Sequence, residues 1–174
     1  MRNILFITLI FASFSTQAAN VRKIKHCGNA AERTIEQALD FLDNNINTII
    51  NRTGDLKKGE KKKLKKKLSK LNYKCMDHKR VCRVKPDRGG KDRHLFNQAV
   101  VICYNNIRTI LEDDAFCTLA DVLIHETGHS AGVKKDSGHN NGPNNDRVYR
   151  LGFAAADLCR ELGLDRSIPR NTND

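Results

Sequence analysis

Apolar residues recur at helical spacing early in the chain. Ile35, Ala38, Leu39, Leu42, Ile46, Ile49 and Ile50 share one face, and Gly54 supplies a stop. Leu64, Leu68 and Leu71 then form a narrower seam through a lysine-rich stretch, which predicts a second helix. The pattern weakens between Tyr73 and Gly90, where "VCRVKP" reads as a short strand and "DRGGKD" as a turn. "AVVICYNNI" (99–107) is rich in β-branched and aromatic residues and predicts a strand. Phe116, Leu119, Ala120, Leu123 and Ile124 return to helical register, with Gly132 at the end. Thr118 with Asp121 is a possible capping box for that helix, and Asp113 or Asp114 an earlier start. The polar stretch 134–145 predicts a loop, and a last helix is expected from about Asp146 to Leu162. There is no internal repeat and no sign of a second domain.

The first residues change the picture. Arg2, the apolar run Ile4–Phe14 and the small residues before Asn20 read as a signal peptide, residues 1–19, cut after Ala18 or Ala19. The run is too short to span a bilayer, so the expected product is exported, with residues 20–174 as a single domain and a monomer. Its destination is the extracellular space or a periplasm. Six cysteines, none in a C-x-x-C pair, argue for three disulfides and against a cysteine zinc site. The positive charge is local: "KKGEKKKLKKKLSK" (57–70) holds nine lysines and one glutamate and accounts for most of the net charge.

The candidate chemistry lies in "HETGH". His125 and His129 are four apart, one helical turn, so both imidazoles can reach one ion, and Glu126 flanks them. In zinc peptidases of this pattern the glutamate takes a proton from the attacking water and passes it to the leaving amine. A catalytic zinc usually has three protein ligands and an open position, so a third ligand must be found. Continuation to H-E-x-x-H-x-x-G-x-x-H is excluded, because Gly132 is kept but Lys135 stands where the last histidine belongs. Asp146, His139, Asp136 and Glu161 are the remaining candidates. Asp146 fits best, since Tyr149 lies three residues on, where its phenol could donate to an oxyanion beside the ion. Asp146 can equally be read as a carboxylate favoured at a helix N-terminus. His26, His78 and His94 lack ligand spacing and are expected on the surface.

With those residues in place the chain resembles the aspzincin metalloendopeptidases, the deuterolysin and peptidyl-Lys metalloendopeptidase group. Their pattern is H-E-x-x-H followed by G-T-x-D-x-x-Y-G. "HCGNAAERTIEQAL", "AVVICYNNI" and "GFAAADLC" are similar to the family's opening, pre-motif strand and alanine-rich final helix, in order. The resemblance implies an α+β, zincin-like metallopeptidase domain, mostly helical with a small sheet. It implies one zinc per chain held by His125, His129 and Asp146, with Glu126 as general base and Tyr149 as transition-state donor. It further implies the pairs Cys27–Cys75, Cys82–Cys103 and Cys117–Cys159, and a protein or peptide substrate. The chain departs from the pattern at Pro143-Asn144 in place of Gly-Thr and at Arg150 in place of the glycine after tyrosine, and its loop between His129 and Asp146 is longer.

The expected function is therefore a secreted zinc metalloendopeptidase, a hydrolase working through metal-activated water. The rival is an exported cationic binding protein or toxin using the lysine-rich helix, and a further alternative is a catalytically degenerate family member. The leucine seam is expected to pack on the first helix and leave the lysines in water. They then form a face able to meet an anionic surface; without interleaved aromatics, no specific nucleic acid is expected.

Overall fold

The computed structural model describes residues 22–84, 89–92, 99–110, 112–133 and 146–172. The expected signal peptide, His94, Lys135, Asp136, His139 and Pro143-Asn144 lie outside the described residues. The order is β1 (Ile24–Lys25), α1 (Asn29–Thr53), α2 (Lys58–Leu68), β2 (Asn72–Cys75), α3 (Arg80–Arg83), β3 (Gly90–Asp92), β4 (Ala99–Ile102), α4 (Tyr104–Ile110), a 3-10 turn (Glu112–Asp114), α5 (Ala115–Ala131) and α6 (Arg147–Glu161). The fold is α+β and mostly helical, as expected. Among the described residues no helix is long and apolar enough to cross a membrane.

Helix α1 buries the whole predicted stripe. It starts earlier than the stripe, because Gly28 is extended and Ala30 and Ala31 favour helix. It stops at Gly54, whose φ of 89° suits glycine. Helix α2 buries Leu64 and Leu68, and Leu71 just beyond it is buried too. This seam corrects the expectation that it packs on the first helix: it lies chiefly against α5, with α1 second.

Strands β1, β2 and β4 run parallel, and β3 is antiparallel at the edge beside β4, giving the order β1-β2-β4-β3. All four residues of β4 are buried, as befits a strand paired on both sides. Three sequence readings are corrected here. The predicted strand 99–107 ends at Ile102 and gives way to α4, because the Asp77 carboxylate accepts the Asn105 N–H at 2.9 Å and starts a helix. "VCRVKP" is not a strand over its described part: Arg80–Arg83 is a helical turn with only Cys82 buried. "DRGGKD" is not merely a turn, since its last three residues form the edge strand.

Helix α5 begins at Ala115 after Asp114, so Thr118 and Asp121 lie inside it and the capping-box reading is wrong. Gly132 ends it in the left-handed region, φ 78°. Helix α6 spans Arg147–Glu161 with Asp146 as its N-cap. Helices α5 and α6 approach closely at Gly128 and Gly152: a Cβ on Gly128 would stand 3.1 Å from Leu151 Cδ2, and one on Gly152 would meet the Asp121 carboxyl. The disulfides join Cys27 to Cys75, Cys82 to Cys103 and Cys117 to Cys159, the pairing the resemblance implies. They tie the segment just before α1 to β2, α3 to the end of β4, and α5 to α6. Such pairing fits an oxidising compartment.

Candidate metal centre

Apolar residues of α5 enter the main core, which fixes its roll and leaves its histidine face toward α6 and the edge strand. A buried hydrogen bond adds to this. Thr127, the residue after Glu126, donates its only hydroxyl proton to Leu123 O at 2.7 Å. Tyr73 of β2 therefore donates to Thr127 Oγ1, at 3.1 Å. Burial pushes the Tyr73 phenol up to about 12, so it stays a donor throughout the physiological range.

His125 and His129 point their outer nitrogens at one place, with Nε2 to Nε2 at 3.1 Å. The rings meet edge-on, centroids 4.8 Å apart and planes at 79°. Two nitrogens each about 2.0–2.1 Å from one tetrahedral zinc are separated by about 3.3 Å. The pair thus fits the edge of a zinc coordination tetrahedron, and imidazole is a suitable ligand type for that ion.

Glu126 is 9% exposed. It lies against the edge strand: a Cβ on Gly90 would stand 3.0 Å from Glu126 Cγ, 2.8 Å from Val122 Cγ1 and 3.2 Å from Val101 O. Glycine at 90 is what lets β3 run this close to the motif helix. Gly89-Gly90 is the sequence signal for this approach, although on its own the pair predicts a turn.

From the other side α6 brings Asp146 and Tyr149. Asp146 is 1% exposed, and its Oδ1 accepts the Val148 N–H at 2.9 Å. The N-terminal carboxylate reading is therefore correct for one of its oxygens. Tyr149 packs against His125, centroids 4.6 Å apart, and against Phe153 one turn on at 6.2 Å. Its phenol is raised above the ordinary value, first by burial and then by the negative fields of Asp146, Glu126 and Asp121. It remains protonated at neutral pH, as a hydrogen-bond donor must.

The structure thus brings His125, His129 and Tyr149 together. It does not close a three-ligand set: among the described residues no group of three His, Cys, Asp or Glu side chains is assembled to hold an ion. Glu161 is removed as a candidate, since it lies at the far end of α6 in a bidentate pair with Arg52, both bonds 2.7 Å. His26 and His78 are exposed, as expected. Arg150 reaches away to Asp55 at 2.8 Å, which accounts for a side chain where the resemblance has glycine.

One contact beside the site has no local sequence signal. Arg147, adjacent to Asp146, donates from Nη1 to both oxygens of Glu60 in α2, at 3.0 and 3.3 Å. The side chains are 9% and 12% exposed. Glu60 also accepts the Lys57 N–H at 2.8 Å, closing the first turn of α2.

Comparison with protein-family models, curated proteins and solved structures finds no match to this chain.

Proposed function

We propose that the protein is an exported zinc endopeptidase of the zincin type, related to the aspzincins. The observation that carries this reading is the convergence of His125 Nε2 and His129 Nε2 at 3.1 Å, on a buried helix that also presents Glu126 and faces Tyr149. A pair of solvated surface histidines has no need of this enclosure. Bound zinc would be held by the two imidazoles and, in this reading, by the second oxygen of Asp146, the first being used as the α6 cap. Zinc supplies Lewis acidity toward a carbonyl and lowers the pKa of water to about 7.

The protein's own groups do the rest. Glu126, confined between α5 and Gly90, accepts the proton of the attacking water and returns it to the leaving amine. Tyr149, protonated at neutral pH, donates to the oxyanion of the tetrahedral intermediate. The edge strand β3 borders the same face of α5, and a polypeptide lying along it presents its scissile bond to Glu126.

A denatured protein substrate tests the reading. Turnover by the folded chain should cease with chelator and return with zinc. Glu126→Gln should lower turnover by about 1000-fold or more while zinc content stays at one per chain. A folded, zinc-loaded chain without turnover on denatured substrate overturns the proposal. Equal function in the Gln variant points to the rival class, a cationic binding protein.

A further inference from the structure

The lysine segment carries more than solubility. Its leucine seam is buried, while Lys58, Lys62, Lys63 and Lys66 stand exposed on α2 and Lys70 just beyond its end. None of these five makes an ion pair among the described residues. The single acid of the segment, Glu60, is withdrawn from this face by Arg147 and the Lys57 N–H. Among the described residues, no carboxylate compensates the charge of these five lysines. Four lysine pairs stand four apart within the helix (58/62, 61/65, 62/66 and 63/67), and like charges at that spacing oppose it. A bound polyanion would relieve that repulsion.

We propose that the exposed lysine face of α2 is a docking surface for acidic polypeptides, and that these are the preferred substrates of the site described above. The substrate half rests on the peptidase reading; the docking half does not. Two features of the segment weigh against nucleic acid and lipid as the partner. It has no aromatic residue on which bases could stack. The large exposed apolar side chains among the described residues are Val84, Ile110 and Leu162, none of them on α2, so the helix offers nothing to insert into lipid. Position joins the face to the site. Helix α2 packs on the motif helix, and its first turn is bonded to the residue beside Asp146. A chain held by the lysines is held on the same framework that carries His125, His129 and Glu126.

The test uses the full chain with Glu126→Gln, so that nothing is cut, and labelled polyglutamate as probe. Binding should be salt-sensitive, and replacing Lys58, Lys62, Lys63, Lys66 and Lys70 by Gln should weaken it about tenfold or more. Lys62→Gln with Lys66→Gln, a milder variant, should give an intermediate loss and serves if the five-lysine variant misfolds. With Glu126 restored, the lysine variants should raise KM for an acidic peptide while kcat/KM for a short neutral peptide is unchanged. Undiminished polyglutamate binding by the lysine variants overturns the docking surface. Binding of heparin, duplex DNA or phosphatidylserine vesicles more than tenfold tighter than polyglutamate, at matched charge, assigns the face to another partner class and overturns the proposal. Equal losses on acidic and neutral peptides overturn the substrate half. Intact polyglutamate binding with no turnover of any peptide by zinc-loaded protein refutes the peptidase reading and leaves the docking surface standing.

Discussion

Asp121 occupies a place on α5 that neither the core nor the metal reading requires. It stands one turn before His125, and its carboxyl occupies the space a side chain at Gly152 would need. Burial pushes this carboxyl up to about 7; Arg160 pulls it down, while Asp157 and Asp114 push it further up. The folded value thus exceeds the unfolded one. Between about pH 4 and pH 7 the folded chain keeps a proton that the unfolded chain has lost. The contribution of Asp121 to stability is therefore fully present below about pH 4 and is lost as pH rises through 7. In chelator, to keep metal out of the comparison, the Asp121→Asn variant should show a flatter stability profile across that window. At pH 8 it should be the more stable chain, by on the order of 3 kcal/mol. Denaturant titration at pH 4, 6 and 8 measures this, and a wild-type slope retained in the variant contradicts it.

At the scale of elements, α2 and α6 are joined by Glu60 and Arg147, an ion pair largely removed from water on both sides. Removing one member takes from the other a charge partner in a place with little water, whereas replacing both with apolar side chains removes the need for one. Glu60→Met should therefore destabilise the chain by roughly 2–4 kcal/mol, and Glu60→Met with Arg147→Met should recover most of the loss. Additive losses in the double variant would show that the two residues act separately. This contact also marks where sequence reading stops. Helices α1, α5 and α6 were legible because their signal is local, an apolar face every three or four residues closed by Gly54, Gly132 or the Asp146 cap. His125 and His129 were legible for the same reason. Glu60 and Arg147 are 87 residues apart, and Tyr73 and Thr127 are 54 apart, so their pairing exists only once the chain has folded. The edge strand at Gly90 was missed because strand pairing is a tertiary fact. Two adjacent glycines look like a turn until a helix is found pressed against them.

For the molecule as a whole, one of the three disulfides fastens the two helices that carry the candidate site. Cys117–Cys159 clamps α5 to α6, so the histidine pair and the Asp146–Tyr149 end of α6 are held in one block. In the chain-entropy account a closed loop of 42 residues contributes about 4 kcal/mol. The lysine helix rests on the same block, with its charge turned outward and its acid turned in. On the proposed function, the order of events would be capture of an acidic chain, alignment along β3, and cleavage at the imidazole pair. All of it depends on an ion between His125 and His129. Crystals of the zinc-loaded chain, measured on either side of the zinc absorption edge, address that directly. The account predicts one anomalous peak per chain within about 2.0–2.2 Å of His125 Nε2, His129 Nε2 and an Asp146 oxygen. Zinc elsewhere, or no peak between the two imidazoles in zinc-saturated crystals, contradicts it.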